Sequence, residues 1–229
     1  MNNIWIISET EKGLIESIIS KGKKEQEKNK QFAVIGFDDF YKLFDFEEIA
    51  VIKKFLSINP KQIKYTLPFI GVRPLSEKLL AIDGQVYISN SNQETIPCQY
   101  LPESIFRVYE KMNNAIEKDI GKKLLILYGY RSSARQTFLF FDILHRIYGF
   151  DFNKTLRRVC FPDYSEHVCT ERQAIDFMTE DGIKGEGFEQ TEEYQWLKKN
   201  AEKFNFYESY PKNNTLGMMY EPWHWHYTM

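Results

Sequence analysis

The sequence predicts an α+β fold: a small, mainly antiparallel sheet flanked by helices. Three observations predict it. Asp83-Gly84 separates two short apolar runs, Leu79 to Ile82 and Gln85 to Ile88, as a hairpin turn does. Residues 174–178 alternate, with Asp176 on one face and Ile175 and Phe177 on the other. Ile105, Val108, Tyr109, Met112 and Ile116 recur at helical spacing.

Element by element, Ile4 to Ile7 reads as a short strand. Thr10 is a candidate N-cap for a helix from Glu11 to about Lys21, which Gly22 would stop. Lys23 to Lys30 is so highly charged that it reads as a solvated loop. Phe32 to Gly36 reads as a second strand. Asp45 caps a helix over Phe46 to Leu56, which stops before Asn59-Pro60. Residues 1–66 thus form an N-terminal α/β extension of unknown role, and 67–229 the main domain.

Within that domain, Asn90 to Gln93 is a polar loop. Pro102 opens a helix that runs to about Ile120 and ends at Gly121. Lys123 to Tyr128 is a strand, and Ser132 or Ser133 caps a helix from Ala134 to about Tyr148. Thr191 to Asn205 is helical, with Tyr194, Leu197, Ala201 and Phe204 on its apolar side. Met218 to Tyr227 is a terminal strand.

Composition excludes several classes. The net charge of −2 over 229 residues leaves no electrostatic footprint for nucleic acid or anionic membrane. No apolar run is long enough for an integral membrane segment. The first residues lack the basic start and small-residue cleavage site of a signal peptide. The expected location is therefore cytoplasmic, with export by another route as the alternative. The odd cysteine count of 3 argues against a disulfide scaffold. The 36 aromatic residues (18 Phe, 14 Tyr, 4 Trp) read mostly as core.

Histidine is scarce, with 4 in the chain, and two of these sit in Glu221-Pro222-Trp223-His224-Trp225-His226. A third, His167, lies in Ser165-Glu166-His167, upstream of Ala174-Ile175-Asp176. Two imidazoles, one carboxylate ligand and one spare carboxylate match the needs of a catalytic Zn2+. Such a site uses three protein ligands, an open position and a base beside the attacking water. His145 lies mid-helix without a partner motif and reads as structural.

Three segments line up in order: Tyr128-Gly129-Tyr130-Arg131-Ser132 with Gln136; Ser165-Glu166-His167 with Ala174-Ile175-Asp176; and Glu221-Pro222-Trp223-His224. They resemble the zinc D-alanyl-D-alanine carboxypeptidases and dipeptidases of the vancomycin-resistance type, within the LAS-type zinc peptidase superfamily. Each motif alone is weak; three in the correct order are a strong signal. The resemblance runs from about Pro68 to the C-terminus and implies a DD-peptidase/hedgehog-like sheet carrying the zinc.

The resemblance implies His167, Asp176 and His224 as metal ligands and Glu221 as the general base. It implies Arg131 as the group that binds the developing oxyanion, and Gln136 and Ser165 as substrate-binding residues. The implied partner is a peptidoglycan stem peptide or another D-Ala-containing peptide, cut next to a D-amino acid. The alternatives are a phage-type endolysin cutting L-alanyl-D-glutamate, a metal-binding module without catalysis, and an amidase or toxin acting on a non-wall substrate.

The chain departs from the pattern in one place. His167 and Asp176 are nine positions apart, two more than the family's usual spacing, with no glycine between them. The two extra residues are expected to bulge. The terminal motif leaves a second ambiguity. His224 and His226 share a face of a regular strand, whereas Glu221 and His224 do not, so Pro222 should mark a bend. The wider superfamily uses a His-x-His whose second member is the ligand; the Glu-Pro-Trp-His match favours His224.

Overall fold

The computed structural model describes residues 5–59, 62, 67–71 and 78–228. They form seven α-helices and eight strands with short 3-10 segments between them. The chain divides into two compact units that interleave in sequence. One comprises Met1–Val72, Arg131–Ser165 and Asn214–Met219; the other comprises Arg73–Tyr130, Glu166–Asn213 and Tyr220–Met229. No helix among the described residues is long and apolar enough to cross a membrane.

The first unit is helical. Helix α1 spans Glu9–Lys28 and is capped at Ser8, not Thr10. Ser8 and Glu11 bond each other's backbone amides as a capping box, which satisfies two otherwise orphaned donors. The helix runs through the expected stop at Gly22 because that glycine serves packing. A Cβ there would fall 2.1 Å from the Phe138 ring. The charged stretch to Lys28 is accordingly helical rather than a loop.

Helix α2 spans Phe37–Tyr41, and α3, capped at Asp45 as expected, spans Phe46–Leu56. Helix α5 covers Ser133–Arg146 with Ser132 as its cap, and α6 covers Phe152–Arg158. Their core is aromatic. Phe55 packs at ring distances of 4.7–5.8 Å against Phe161, Phe140, Phe141 and Trp5.

Two expected strands are absent here. The described part of Ile4 to Ile7 lies outside any strand, and Ile4 is outside the described residues. Residues Lys30–Val34 form a 3-10 helix. Its backbone acceptors are taken by α5 rather than a ladder: Ser132 N donates to Ala33 O at 3.0 Å, and Ser132 Oγ to Ile35 O at 2.6 Å. Phe32 packs edge-on against Phe138 at 5.2 Å.

The second unit holds the sheets. β1 (Leu79–Ile82) pairs with β4 (Gln99–Pro102), and β2 (Val86–Ser89) pairs with β3 (Asn92–Thr95). The expected hairpin across Asp83-Gly84 therefore does not form. The tight turn is at Asn90-Ser91 instead, where φ values of 49° and 66° match the twist a two-residue hairpin needs. Gln85 is occupied elsewhere: its side-chain amide bonds both the N–H and the C=O of Ile126, standing in for a strand neighbour.

The main sheet is four-stranded and antiparallel, in the order β5-β6-β8-β7. These strands are β5 (Leu124–Tyr128), β6 (Ala174–Thr179), β7 (Phe206–Glu208) and β8 (His224–Tyr227). Helix α4 (Glu103–Ile120) lays Ile105, Tyr109, Met112 and Ile116 on one face of it and ends at Gly121, whose φ of 70° suits a glycine cap. Helix α7 (Glu192–Asn200), capped by Thr191, adds Tyr194, Trp196 and Leu197 to the same core. Ile175, Phe177 and Trp225 are among its sheet-side members. Burying a side chain such as Phe177 contributes about 1.5–3 kcal/mol. The residues that alternate with them point to the opposite face.

Candidate active site

That opposite face carries the histidines. In the β6–β8 ladder Asp176 stands directly opposite His224, and Ala174 opposite His226. Directly paired residues share a face, so register alone brings a carboxylate and an imidazole together. His167 comes from a short 3-10 turn, Glu166–Val168, ahead of β6. A second such turn, Thr170–Arg172, follows. The two turns absorb the extra residues between His167 and Asp176, so the expected bulge takes the form of two tight turns.

His167, Asp176 and His224 offer ligand atoms that all lie within 4.8 Å of one another, and all three residues are buried. Asp176 Oδ1 is 2.8 Å from His224 Nδ1 and 3.4 Å from His167 Nε2. Yet Asp176 Oδ1 makes no hydrogen bond. Two ring nitrogens and a carboxylate oxygen that converge in one buried place are what a cation site requires. The donor set of two imidazoles and one carboxylate fits zinc.

The ring orientations are set from outside the cluster. His167 Nδ1 lies 2.8 Å from Gly129 O. A carbonyl can only accept, so Nδ1 carries the proton and Nε2 faces Asp176. Gly129 is needed for this approach, since a Cβ there would sit 2.3 Å from Tyr100 O. His224 Nε2 lies 3.0 Å from Glu166 Oε2, which leaves Nδ1 facing Asp176. The Tyr210 ring packs over His224 at 4.8 Å.

Electrostatics favour a positive charge here. Burial would lower the pKa of His224, but the Asp176 and Glu166 carboxylates overcome it and hold the group at about 10. Burial would raise Asp176, and the two imidazoles instead hold it well below the usual carboxylate range. Glu166 is likewise held at about 2 against the effect of burial, chiefly by its bond to His224.

Glu221 reaches the same place through the bend expected at Pro222. His224 N donates to Glu221 O at 3.1 Å, closing a turn, and Glu221 N donates to Tyr210 O at 3.0 Å. Strand β8 therefore begins only at His224, not at Met218. The buried Glu221 places Oε2 3.7 Å from His224 Nδ1, without joining the ligand cluster. His226 shares the sheet face with His224 but stands opposite Ala174, outside the cluster, with Nδ1 2.7 Å from Ser209 Oγ.

The remaining predicted residues lie in the first unit. Arg131 Nε donates to Gln136 Oε1 at 2.5 Å, and Gln136 Nε2 donates to Cys160 O at 2.9 Å. Gln136 is fully buried, with both ends of its amide engaged. Ser165 is also buried. His145 lies 3.4 Å from Glu16 and serves as a surface contact of α5. All three cysteines are free thiols.

Sequence reasoning gave no role to Glu166, Arg172, Ser209 or Tyr210. Glu166 was visible beside His167, but its partners Ser209 and His224 lie 43 and 58 positions away, beyond any local pattern.

Residues 99–229, over half of the chain, match the family model VanY, D-alanyl-D-alanine carboxypeptidase. The chain belongs to this family. The chain is 29% identical over 209 residues to the putative carboxypeptidase YodJ of Bacillus subtilis strain 168, covering 90% of this chain and 72% of the relative. It also resembles the solved LD-carboxypeptidase LdcB, at 26% identity and a TM-score of 0.54, covering 70% of this chain and 75% of that one. A vancomycin resistance D,D-pentapeptidase solved in complex with Zn(II) shares the fold at 22% identity and a TM-score of 0.50, covering 72% and 89%. As a member of the VanY family, the protein is a peptidase of the carboxypeptidase class.

Proposed function

We propose that this protein is a zinc-dependent carboxypeptidase that hydrolyses a peptidoglycan-type peptide next to a D-amino acid. The observation that carries the reading is the buried His167, Asp176 and His224 cluster with Glu221 beside it. The names of the structural relatives, an LD-carboxypeptidase and a D,D-pentapeptidase with Zn(II), support the metal and the substrate class.

His167, Asp176 and His224 would hold the ion. When bound, zinc supplies Lewis acidity that polarises the scissile carbonyl and lowers the pKa of water. Glu221 takes the proton from the attacking water as its oxygen bonds to the carbonyl carbon, and returns it to the leaving amine as the C–N bond breaks. A structural zinc prefers four protein ligands, so a cluster of three with a separate carboxylate favours catalysis over mere stabilisation. The roles of Arg131 and Ser165 rest on the sequence motif: Arg131 as the cation for the oxyanion, Ser165 as a substrate-positioning hydroxyl. Gln136, bonded to Arg131 Nε, would serve by orienting that guanidinium. Every residue assigned a role falls within 67–229, the proposed catalytic region, with 1–66 as its extension.

Mass spectrometry of defined muropeptides incubated with the zinc-loaded protein tests the reading. Loss of a single terminal D-Ala from a pentapeptide is expected for D,D-cleavage, and from a tetrapeptide for L,D-cleavage. Failure to cut pentapeptide, tetrapeptide and D-Ala-D-Ala alike overturns the proposal. Fractionation of native cells tests the cytoplasmic location read from the sequence.

A further inference from the structure

The carboxylate of Glu166 is engaged from three sides. Oε2 accepts from Ser209 Oγ at 2.5 Å and from His224 Nε2 at 3.0 Å; Oε1 accepts from Arg172 Nε at 2.6 Å. Glu166 is 5% exposed, so these partners replace water almost entirely. Ser209 in turn lies 2.7 Å from His226 Nδ1. The same His226 Nδ1 also lies 3.4 Å from Arg172 Nη2, so the imidazole touches both groups that hold Glu166. One bonded chain thus runs from His226 through Ser209 and Glu166 to His224, with Arg172 fixing the other oxygen.

Arg172 belongs to the second 3-10 turn between His167 and Asp176, the stretch that is longer than the family spacing. Cys169 N bonds Glu166 O at 3.3 Å, and Arg172 N bonds Cys169 O at 3.3 Å. This geometry folds the connector back so that Arg172, six positions after Glu166, reaches its carboxylate.

We infer that Glu166 and Arg172 are positioning residues: Glu166 holds His224 through Nε2 so that Nδ1 is presented to the metal, and Arg172, supplied by the lengthened connector, holds Glu166 in place. The inference rests on the metal site proposed above. Metal-ligating histidines generally donate their second N–H to such a partner, and losing that partner costs about 10–100-fold in metal affinity. The other ligand, His167, is oriented by a different device, the Gly129 carbonyl. This difference supplies an internal control.

The test is zinc affinity of the full chain, measured by competition with a chelator. It compares the parent, Asp176→Asn, Glu166→Gln, Arg172→Ala and the Glu166→Gln/Arg172→Ala double variant. The parent should bind zinc and Asp176→Asn should not. Glu166→Gln should weaken binding by roughly 10–100-fold and Arg172→Ala toward the low end of that range. Because Arg172 acts through Glu166, the double variant should be weaker than Glu166→Gln by no more than about twofold.

Nitrogen-resolved NMR of the loaded protein provides a readout that a general loss of stability would not reproduce. The His224 Nε2 proton should be lost to exchange in Arg172→Ala while the His167 Nδ1 proton persists. Parental zinc affinity and a retained His224 proton in both single variants would overturn the inference and leave the metal site standing. A parent that takes up no zinc would overturn both. If Glu166→Gln does not fold, Arg172→Ala, at a partly exposed side chain, decides the matter alone.

Discussion

Asp176 and His224 are direct partners across the β6–β8 ladder, with Oδ1 and Nδ1 2.8 Å apart. A ladder pair is a rigid way to hold two ligands, because the backbone hydrogen bonds fix their separation. The proposed third ligand, His167, and the proposed base, Glu221, then need only short turns to reach them. In the proposed site, residues that would hold the ion are separate from those that would act beside it, and each class should respond differently to substitution.

Glu221→Gln should retain zinc and lose turnover by roughly 10²–10⁴-fold, because the amide cannot accept the proton of the attacking water. Metal content by elemental analysis and rate on a D-Ala-terminated peptide should be measured on one preparation. A variant that stays active would remove Glu221 from the mechanism.

His224→Ala should lose zinc and activity together, whereas His226→Ala should keep zinc near the parental stoichiometry. The first removes a member of the buried cluster; the second removes a ring bonded to Ser209. The opposite outcome would transfer the ligand role to the second histidine of the His-x-His pair.

Gly129→Ala should destabilise the protein by about 1–3 kcal/mol, as overpacking does. Its Cβ would meet Tyr100 O at 2.3 Å, and relief would shift the carbonyl that orients His167. Thermal melting should show a fall of roughly 2–4 °C per kcal/mol for a chain of this size. Zinc affinity should fall with it.

Acid should destabilise the zinc-free protein through Glu166. Burial opposes ionisation, but the bond to His224 and the nearby cations hold its pKa at about 2, below its ordinary 4.5. A depressed carboxyl contributes stability that is fully present above about pH 4.5 and is lost as pH falls toward about 2. In urea titrations across that window, Glu166→Gln should show a shallower dependence of stability on pH than the parent. Equal slopes would show that Glu166 is not the responsible group.

Much of the site was legible because its chemistry is written in rare residues. Four histidines in 229 residues leave few ways to build a two-imidazole site. The alternation around Asp176 and the spacing of His224 and His226 placed those side chains correctly on strand faces, as β6 and β8 bear out. Helix caps at Asp45, Ser132 and Gly121 were readable because capping is a local interaction. The misreadings were of the opposite kind. Gly22 looked like a helix stop, but Phe138, more than a hundred positions away, uses the space it leaves. Phe32 to Gly36 looked like a strand, but its carbonyls are claimed by Ser132. Asp83-Gly84 looked like a hairpin, but β1 found β4 instead.

The sequence by itself determined the family, the helix ends set by local caps, and which residues have the chemistry to bind a metal or move a proton. Those depend on residue type and on separations of a few positions. Only the tertiary structure decided which nitrogen of each histidine faces Asp176, that Glu221 turns toward His224, and that Glu166 is held by Arg172 and Ser209. Each of these is a contact between groups distant in sequence or a bend of the backbone that spacing alone leaves open. Burial gives such contacts their weight, because a carboxylate or imidazole removed from water must find its partner within the protein.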